Sequence, residues 1–158
     1  MDRQQLGELI LASSESMYRV AKSLLGRDAD CEDAISETIV KAFEKVHTLR
    51  TDQYGKTWLI RILMNECYMI MRRGKKTVSL EDYPLEDGAG EERDYSDLYH
   101  AITRLPCDMR LCITLYYVEG YSVKEIAGLL KVTESTVKNR MARARKRLKC
   151  ELDEEARG

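Results

Sequence analysis

The sequence predicts an all-α protein made of two small helical domains, an N-terminal three-helix lobe and a C-terminal helix-turn-helix lobe, joined by an acidic flexible linker. Three observations predict it. Apolar residues recur at helical spacing in two separate stretches of the 158-residue chain. Only 2 Pro, 9 Gly and 1 Phe are present, while Leu, Ile, Met, Ala, Glu, Lys and Arg are frequent, which favours helix and leaves a sheet little to build with. Between the two stretches the periodicity stops, and acids crowd around Pro84, Gly88 and Gly90.

Element by element, Leu6, Leu9, Ile10, Ser13, Met17, Val20, Ala21 and Leu24 mark a first helix, with Gly26 as its stop. A second runs from about Asp30 to Thr48, with Ile35, Ile39, Ala42, Phe43 and Val46 on one face. A third begins near Trp58, carries Leu59, Ile62, Leu63 and Ile70 on one side, and ends at Gly74 after Arg72 and Arg73, cations that suit a helix C-terminus. These fill a first domain over residues 1–74. Residues 75–96 read as the linker. Helical order resumes near Asp97 and fills a second domain over residues 97–150. There Pro106 suits a first helical turn, and Gly120 closes the helix that holds Leu111, Ile113, Leu115 and Val118.

Several classes of function drop away. No run approaches the roughly 18 apolar residues of a membrane span. Met1 to Gln5 show no basic segment leading into an apolar one, as a signal peptide would. Five cysteines without a CxxC pair, and only two histidines, argue against a disulfide framework and against a metal site. The expectation is a protein of the reducing cytoplasm, with no cofactor and no membrane insertion. Asp30, Glu32, Asp33 and Glu37 lack an accompanying histidine or ligand set, and no glycine-rich phosphate loop is present, so an enzyme is not expected.

The formal net charge of −1 conceals an asymmetry. Between Lys131 and Lys149 eight basic residues face the single acid Glu134, whereas between Glu81 and Asp97 eight acids face only Arg93. The basic block follows a local pattern of its own. Ser122 and Glu125 have capping-box spacing, which sets a helix start. Ile126, Ala127 and Leu130 face inward, a break follows at Lys131 to Thr133, and Thr133 caps the next helix. Helix, tight turn, helix is the arrangement that lays a second helix in the DNA major groove.

On a wheel at about 100° per residue, Val137, Met141, Ala144 and Leu148 of that second helix form one sector. Ser135, Asn139, Ala142, Arg143 and Lys146 lie opposite, with Lys138 and Arg140 flanking them. The cations suit phosphate contact, and Ser135, Asn139 and Arg143 suit base reading.

In the first lobe, Asp33, Glu37, Val40 and Glu44 share the outer face of the second helix, an acidic surface with an aliphatic centre that suits protein docking. Arg61, Asn65, Tyr68 and Arg72 make a stripe along the third helix with Trp58 beside it. Cation, amide and aromatic groups in one row suit backbone neutralisation and stacking on exposed bases.

Leu105-Pro106, Leu115-Tyr116-Tyr117, Glu119-Gly120-Tyr121-Ser122, Lys124-Glu125-Ile126-Ala127 and Thr136-Val137-Lys138-Asn139-Arg140 with Ala142-Arg143-Ala144-Arg145 resemble region 4 of the extracytoplasmic-function (ECF) group of the sigma-70 family. Cys31-Glu32-Asp33-Ala34-Ile35-Ser36-Glu37-Thr38 with Lys41-Ala42-Phe43 resembles the region 2 helix that docks on bacterial core RNA polymerase. Thr57-Trp58-Leu59-Ile60-Arg61-Ile62 with Asn65 and Arg72-Arg73 resembles the segment that melts and reads the −10 element. Ser36 stands where the family usually has Gln, and Met69 where a polar or acidic residue is usual.

The resemblance implies a sigma factor that binds core polymerase and promoter DNA to start transcription in a stress or signal response. Ser135 to Lys146 would then lie on the −35 element, and the third-helix stripe on the −10 element. It also implies an anti-sigma partner. A helix-turn-helix regulator that binds duplex DNA without polymerase remains the main alternative and predicts a dimer on a palindromic site. A pure interaction protein, with no salt-dependent DNA affinity, is the third.

Overall fold

A computed structural model describes residues 1–74 and 96–157, and it divides into two compact units, Met1–Thr77 and Val78–Gly158. The described residues form helices and no strand. The acidic stretch expected as a linker lies outside the described residues but for its final position.

The first unit is three mutually packed helices. Helix α1 (Arg3–Leu25) opens on a capping box. The Gln5 N–H donates to Asp2 Oδ1 at 2.7 Å, and the Asp2 N–H donates to Gln5 Oε1 at 2.9 Å. It closes at Gly26, whose φ of 80° is the positive value a side chain resists. Helix α2 (Asp28–Lys45) runs on through a 3-10 turn at Val46–Thr48, and α3 spans Gly55–Gly74. Leu6, Met17, Val20 and Leu24 of α1 meet Leu59, Ile60, Leu63 and Met64 of α3 in a fully buried core.

Two expected core faces are displaced. The buried seam of α2 is Cys31, Ala34, Thr38 and Ala42, and Ile35, Ile39, Phe43 and Val46 are half-buried beside it. Small side chains let α2 approach both neighbours closely, so the larger ones fill the margins. Along α3, Ile62 and Ile70 are half-buried, while Ile60, Met64, Cys67 and Met71 join Leu59 and Leu63 inside. Helix α3 also starts three residues earlier than Trp58. Gly55 sits where an added Cβ would stand 2.9 Å from Leu9 Cδ2, so a glycine permits the close contact with α1.

The second unit holds α4 (Ser96–Thr103), α5 (Cys107–Ile113), α6 (Val123–Leu130) and α7 (Glu134–Arg157). Pro106 occupies the N-cap of α5. Leu105, Met109, Ile113 and Ala144 cluster in its core with Leu148 packed against them. The expected single helix up to Gly120 is interrupted: α5 stops at Ile113 and a π turn follows over Thr114–Val118, where the Glu119 N–H donates to the Thr114 carbonyl at 3.0 Å. In consequence Leu115 is buried, whereas Tyr116, Tyr117 and Val118 face solvent. Gly120, at φ 78°, ends the segment as expected.

Candidate nucleic-acid interface

In the second unit the interface is assembled by local hydrogen bonds. Ser122 Oγ accepts the Glu125 N–H at 3.1 Å while Glu125 Oε1 accepts the Ser122 N–H at 3.0 Å, the capping box expected from their spacing. Ile126, Ala127 and Leu129 of α6 are buried, and Leu130, expected inside, is half-buried. Lys131 then adopts the left-handed conformation (φ 57°, ψ 44°), and the Val132 N–H returns to the Ala127 carbonyl at 3.1 Å. That single residue makes the turn tight. Thr133 Oγ1 accepts the Thr136 N–H at 3.1 Å and so caps α7.

Helix α7 divides as the wheel predicts. Val137, Met141 and Ala144 are buried, and Ser135, Lys138, Asn139, Ala142, Arg143 and Lys146 are exposed. Two further arginines of α7 are held by other elements. Arg140 Nε lies 3.4 Å from Asp108 Oδ2 of α5. Arg145 Nε donates to Tyr117 Oη at 2.9 Å, and its guanidinium lies 5.7 Å from the centre of that ring. Tyr117 meets Tyr116 edge to face at 4.9 Å. Sequence periodicity did not single out Tyr117 or Arg145, because their contact depends on the π turn.

In the first unit, Thr48, Leu49, Arg50, Thr51, Tyr54, Thr57, Trp58 and Arg61 line a concavity of about 320 Å³. Its wall is the N-terminal end of α3, facing the segment that runs from one 3-10 turn at Val46–Thr48 to another at Asp52–Tyr54. Two members of the predicted stripe, Trp58 and Arg61, lie in this wall. Asn65 and Arg72 are exposed further along α3, and Tyr68 is half-buried. Arg50, Thr51 and Tyr54 are lining residues that the sequence reading left without a role. The position of Tyr54, four residues before Trp58, is the signal that pairs them.

On α2, Asp33, Glu37, Val40 and Glu44 are all exposed, Val40 by 51%. Beneath them Lys41 forms an ion pair with Glu66 of α3. The Glu66 carboxylate holds the Lys41 ammonium above its ordinary pKa, by hydrogen bonding first and by charge second. Among the described residues no three His, Cys, Asp or Glu side chains converge as metal ligands would, and no helix is long and apolar enough to cross a membrane.

A helix-turn-helix with an open cationic face, and a separate aromatic and cationic concavity, are the parts of a protein that handles DNA in two places. Comparison with known proteins agrees. Residues 9–77 match the family model for sigma-70 region 2, and residues 95–148 match that for sigma-70 region 4. The chain is 33% identical over 150 residues to the ECF RNA polymerase sigma factor SigM of Mycobacterium tuberculosis, covering 93% of this chain and 76% of that one. It is 31% identical over 144 residues to the RNA polymerase sigma factor SigV of Bacillus subtilis, covering 89% and 87%. Among solved structures, the sigma factor RpoE of Bartonella quintana, in complex with the anti-sigma factor NepR, superposes with a TM-score of 0.71 at 28% identity, covering 96% of each chain. The chain belongs to the ECF group of the sigma-70 family. Its activity is that of a sigma factor, which binds core RNA polymerase and directs promoter-specific initiation of transcription.

Proposed function

We propose that this sigma factor divides its work among three surfaces. Asp33, Glu37, Val40 and Glu44 of α2 dock on core polymerase. Trp58 and Arg61, with Asn65, Tyr68 and Arg72 along α3, hold unpaired −10 DNA. Ser135, Lys138, Asn139, Arg143 and Lys146 of α7 engage the −35 duplex, where Lys138 and Lys146 neutralise phosphates and Ser135, Asn139 and Arg143 read base edges. The observation that carries this reading is the open face of α7. Its cations and amide stand exposed at the end of a capped helix-turn-helix, while its apolar residues are all turned inward.

Residues 1–74 act as the polymerase and −10 domain and residues 97–150 as the −35 domain, with residues 75–96 joining them. Contacts that are weak singly become strong together through effective concentration. Unstacking a base costs about a few kcal/mol, which capture in the concavity beside Trp58 offsets. The factor works in the cytoplasm, responds to a stress or signal, and performs no catalysis of its own. An anti-sigma factor, as seen bound to the Bartonella quintana relative, is its assigned regulator.

In vitro transcription with bacterial core polymerase on a promoter library tests the whole reading. New start sites that share −35 and −10 motifs are expected only when the protein is added. Core enzyme that neither binds nor initiates, while the protein alone retards duplex DNA, would replace this reading with that of a polymerase-independent regulator.

A further inference from the structure

We infer that Arg140 is a positioning residue rather than a DNA contact: paired with Asp108, it sets the rotation of α7 about its own axis and so aims Asn139 and Arg143. The inference rests on the reading of α7 as the −35 helix. On the wheel, at about 100° per residue, Arg140 stands roughly 70° from the centre of the buried sector and roughly 105° from the centre of the exposed one. It therefore occupies the shoulder of the helix, where a cation is neither core nor reading face.

Its surroundings match that position. The Arg140 side chain is 23% exposed and its partner Asp108 19%, whereas Lys138, Asn139 and Arg143 around it are open to solvent. Asp108 lies in the first turn of α5, where its other oxygen accepts the Met109 N–H at 2.8 Å. The Cys112 thiol, one turn further along the same face of α5, also hydrogen-bonds Arg140. A single guanidinium thus spans two points on α5, itself anchored through Met109 and Ile113 in the core of this unit.

The remaining contacts of α7 in that core come from Val137, Met141, Ala144 and Leu148, and apolar contact carries no direction. The clasp supplies it. Setting register is the best-attested use of a partly buried ion pair, whose net contribution to stability is small. Base reading by Asn139 and Arg143, on either side of Arg140 in sequence, needs two aligned hydrogen bonds each and suffers from a small rotation. Phosphate contacts by long flexible lysines tolerate that rotation.

The test uses the full chain bound to core polymerase. Its probe is a duplex selected from a randomised pool by the wild-type holoenzyme, together with copies carrying single −35 base-pair changes. Asp108→Asn keeps the shape and the Met109 hydrogen bond, so it removes the pairing charge without endangering the fold. Asp108→Asn and Arg140→Gln are each expected to cut discrimination between the selected and altered duplexes about tenfold. The double variant should lose no more than either single, and the swap Asp108→Arg with Arg140→Asp should recover part of the loss. The slope of log affinity against log salt should stay at the wild-type value in all of them.

A slope reduced by about one in Arg140→Gln, with discrimination intact in Asp108→Asn, would make Arg140 a phosphate contact and overturn the inference. So would losses that add in the double variant. If the wild-type holoenzyme selects no shared −35 motif, or Arg143→Ala leaves its preference unchanged, the −35 reading of α7 itself fails and takes the inference with it.

Discussion

Replacing Lys41 with methionine should destabilise the first unit far more than the loss of one surface charge. In the folded protein the Glu66 side chain is 8% exposed and that of Lys41 27% exposed. The substitution therefore leaves a carboxylate inside the α2–α3 contact without its cation. Breaking a buried pair costs about 3–5 kcal/mol, and because the Lys41 ammonium reaches water the lower end applies, about 3 kcal/mol. In a unit of this size each kcal/mol moves the midpoint of thermal unfolding by roughly 4–8 °C, so the loss should exceed about 10 °C by circular dichroism. The variant Lys41→Met with Glu66→Leu removes both charges and should return to within about 1 kcal/mol of wild type, or above it. Restoration is the diagnostic result, since apolar replacement repairs desolvation but not a lost attraction. The pH dependence has a definite sign. Because the folded protein holds the Lys41 proton more tightly than the unfolded chain does, the stabilisation is complete at neutral pH. It disappears as pH rises beyond the ordinary lysine value of 10.5. A Lys41→Met cost under about 1 kcal/mol, or a double variant weaker than the single, would refute the reasoning.

Arg143→Ala should weaken −35 binding by about 1–3 kcal/mol and relax preference at one base pair, read by competition among single-base promoter variants; uniform weakening would mark it as a phosphate contact. Ser122→Ala removes the cap of α6 and should cost about 1 kcal/mol in urea unfolding of the second unit, with no effect expected on the first. Cys31, Cys67, Cys107 and Cys112 are buried and Cys150 is exposed. Burial pushes the Cys31 and Cys107 thiols up to about 11. A thiol-disulfide reagent at mildly alkaline pH should therefore react quickly with one thiol per folded chain, and with all five after denaturation. Two or more fast thiols would contradict the packing of these helices.

Much of the architecture was legible because it is written in local chemistry. The cap at Ser122, the stop at Gly26, the cap at Thr133 and the cationic face of α7 each follow from a few neighbouring residues, and each stands in the structure as expected. Tertiary choices were harder to read. Periodicity ranked Ile35 and Ile39 above Cys31, Ala34 and Thr38 as core, since it weighs apolar size and cannot register how closely two helices approach. The π turn left no mark in the apolar pattern, and with it the outward rotation of Val118 went unread. Arg140 looked like one more cation of a basic helix until Asp108, distant in sequence, was seen beside it. The concavity below Trp58 depends on two 3-10 turns whose residues carry no periodic signal.

The π turn at Thr114–Val118 amounts to one residue inserted into a helix without lengthening it by a full step. That makes chain length, rather than residue type, the sensitive variable here. Deleting one residue between Thr114 and Val118 would let the segment close as ordinary α-helix. Everything after it would then be offset by about 100° and roughly 1.5 Å against α5. Gly120, the α6 cap and the α7 reading face would leave their places together, although each would keep its own sequence. Substitutions that preserve the count, by contrast, leave the phase intact. In this segment a lineage can exchange side chains freely, while gain or loss of a codon would dismantle promoter recognition in one step.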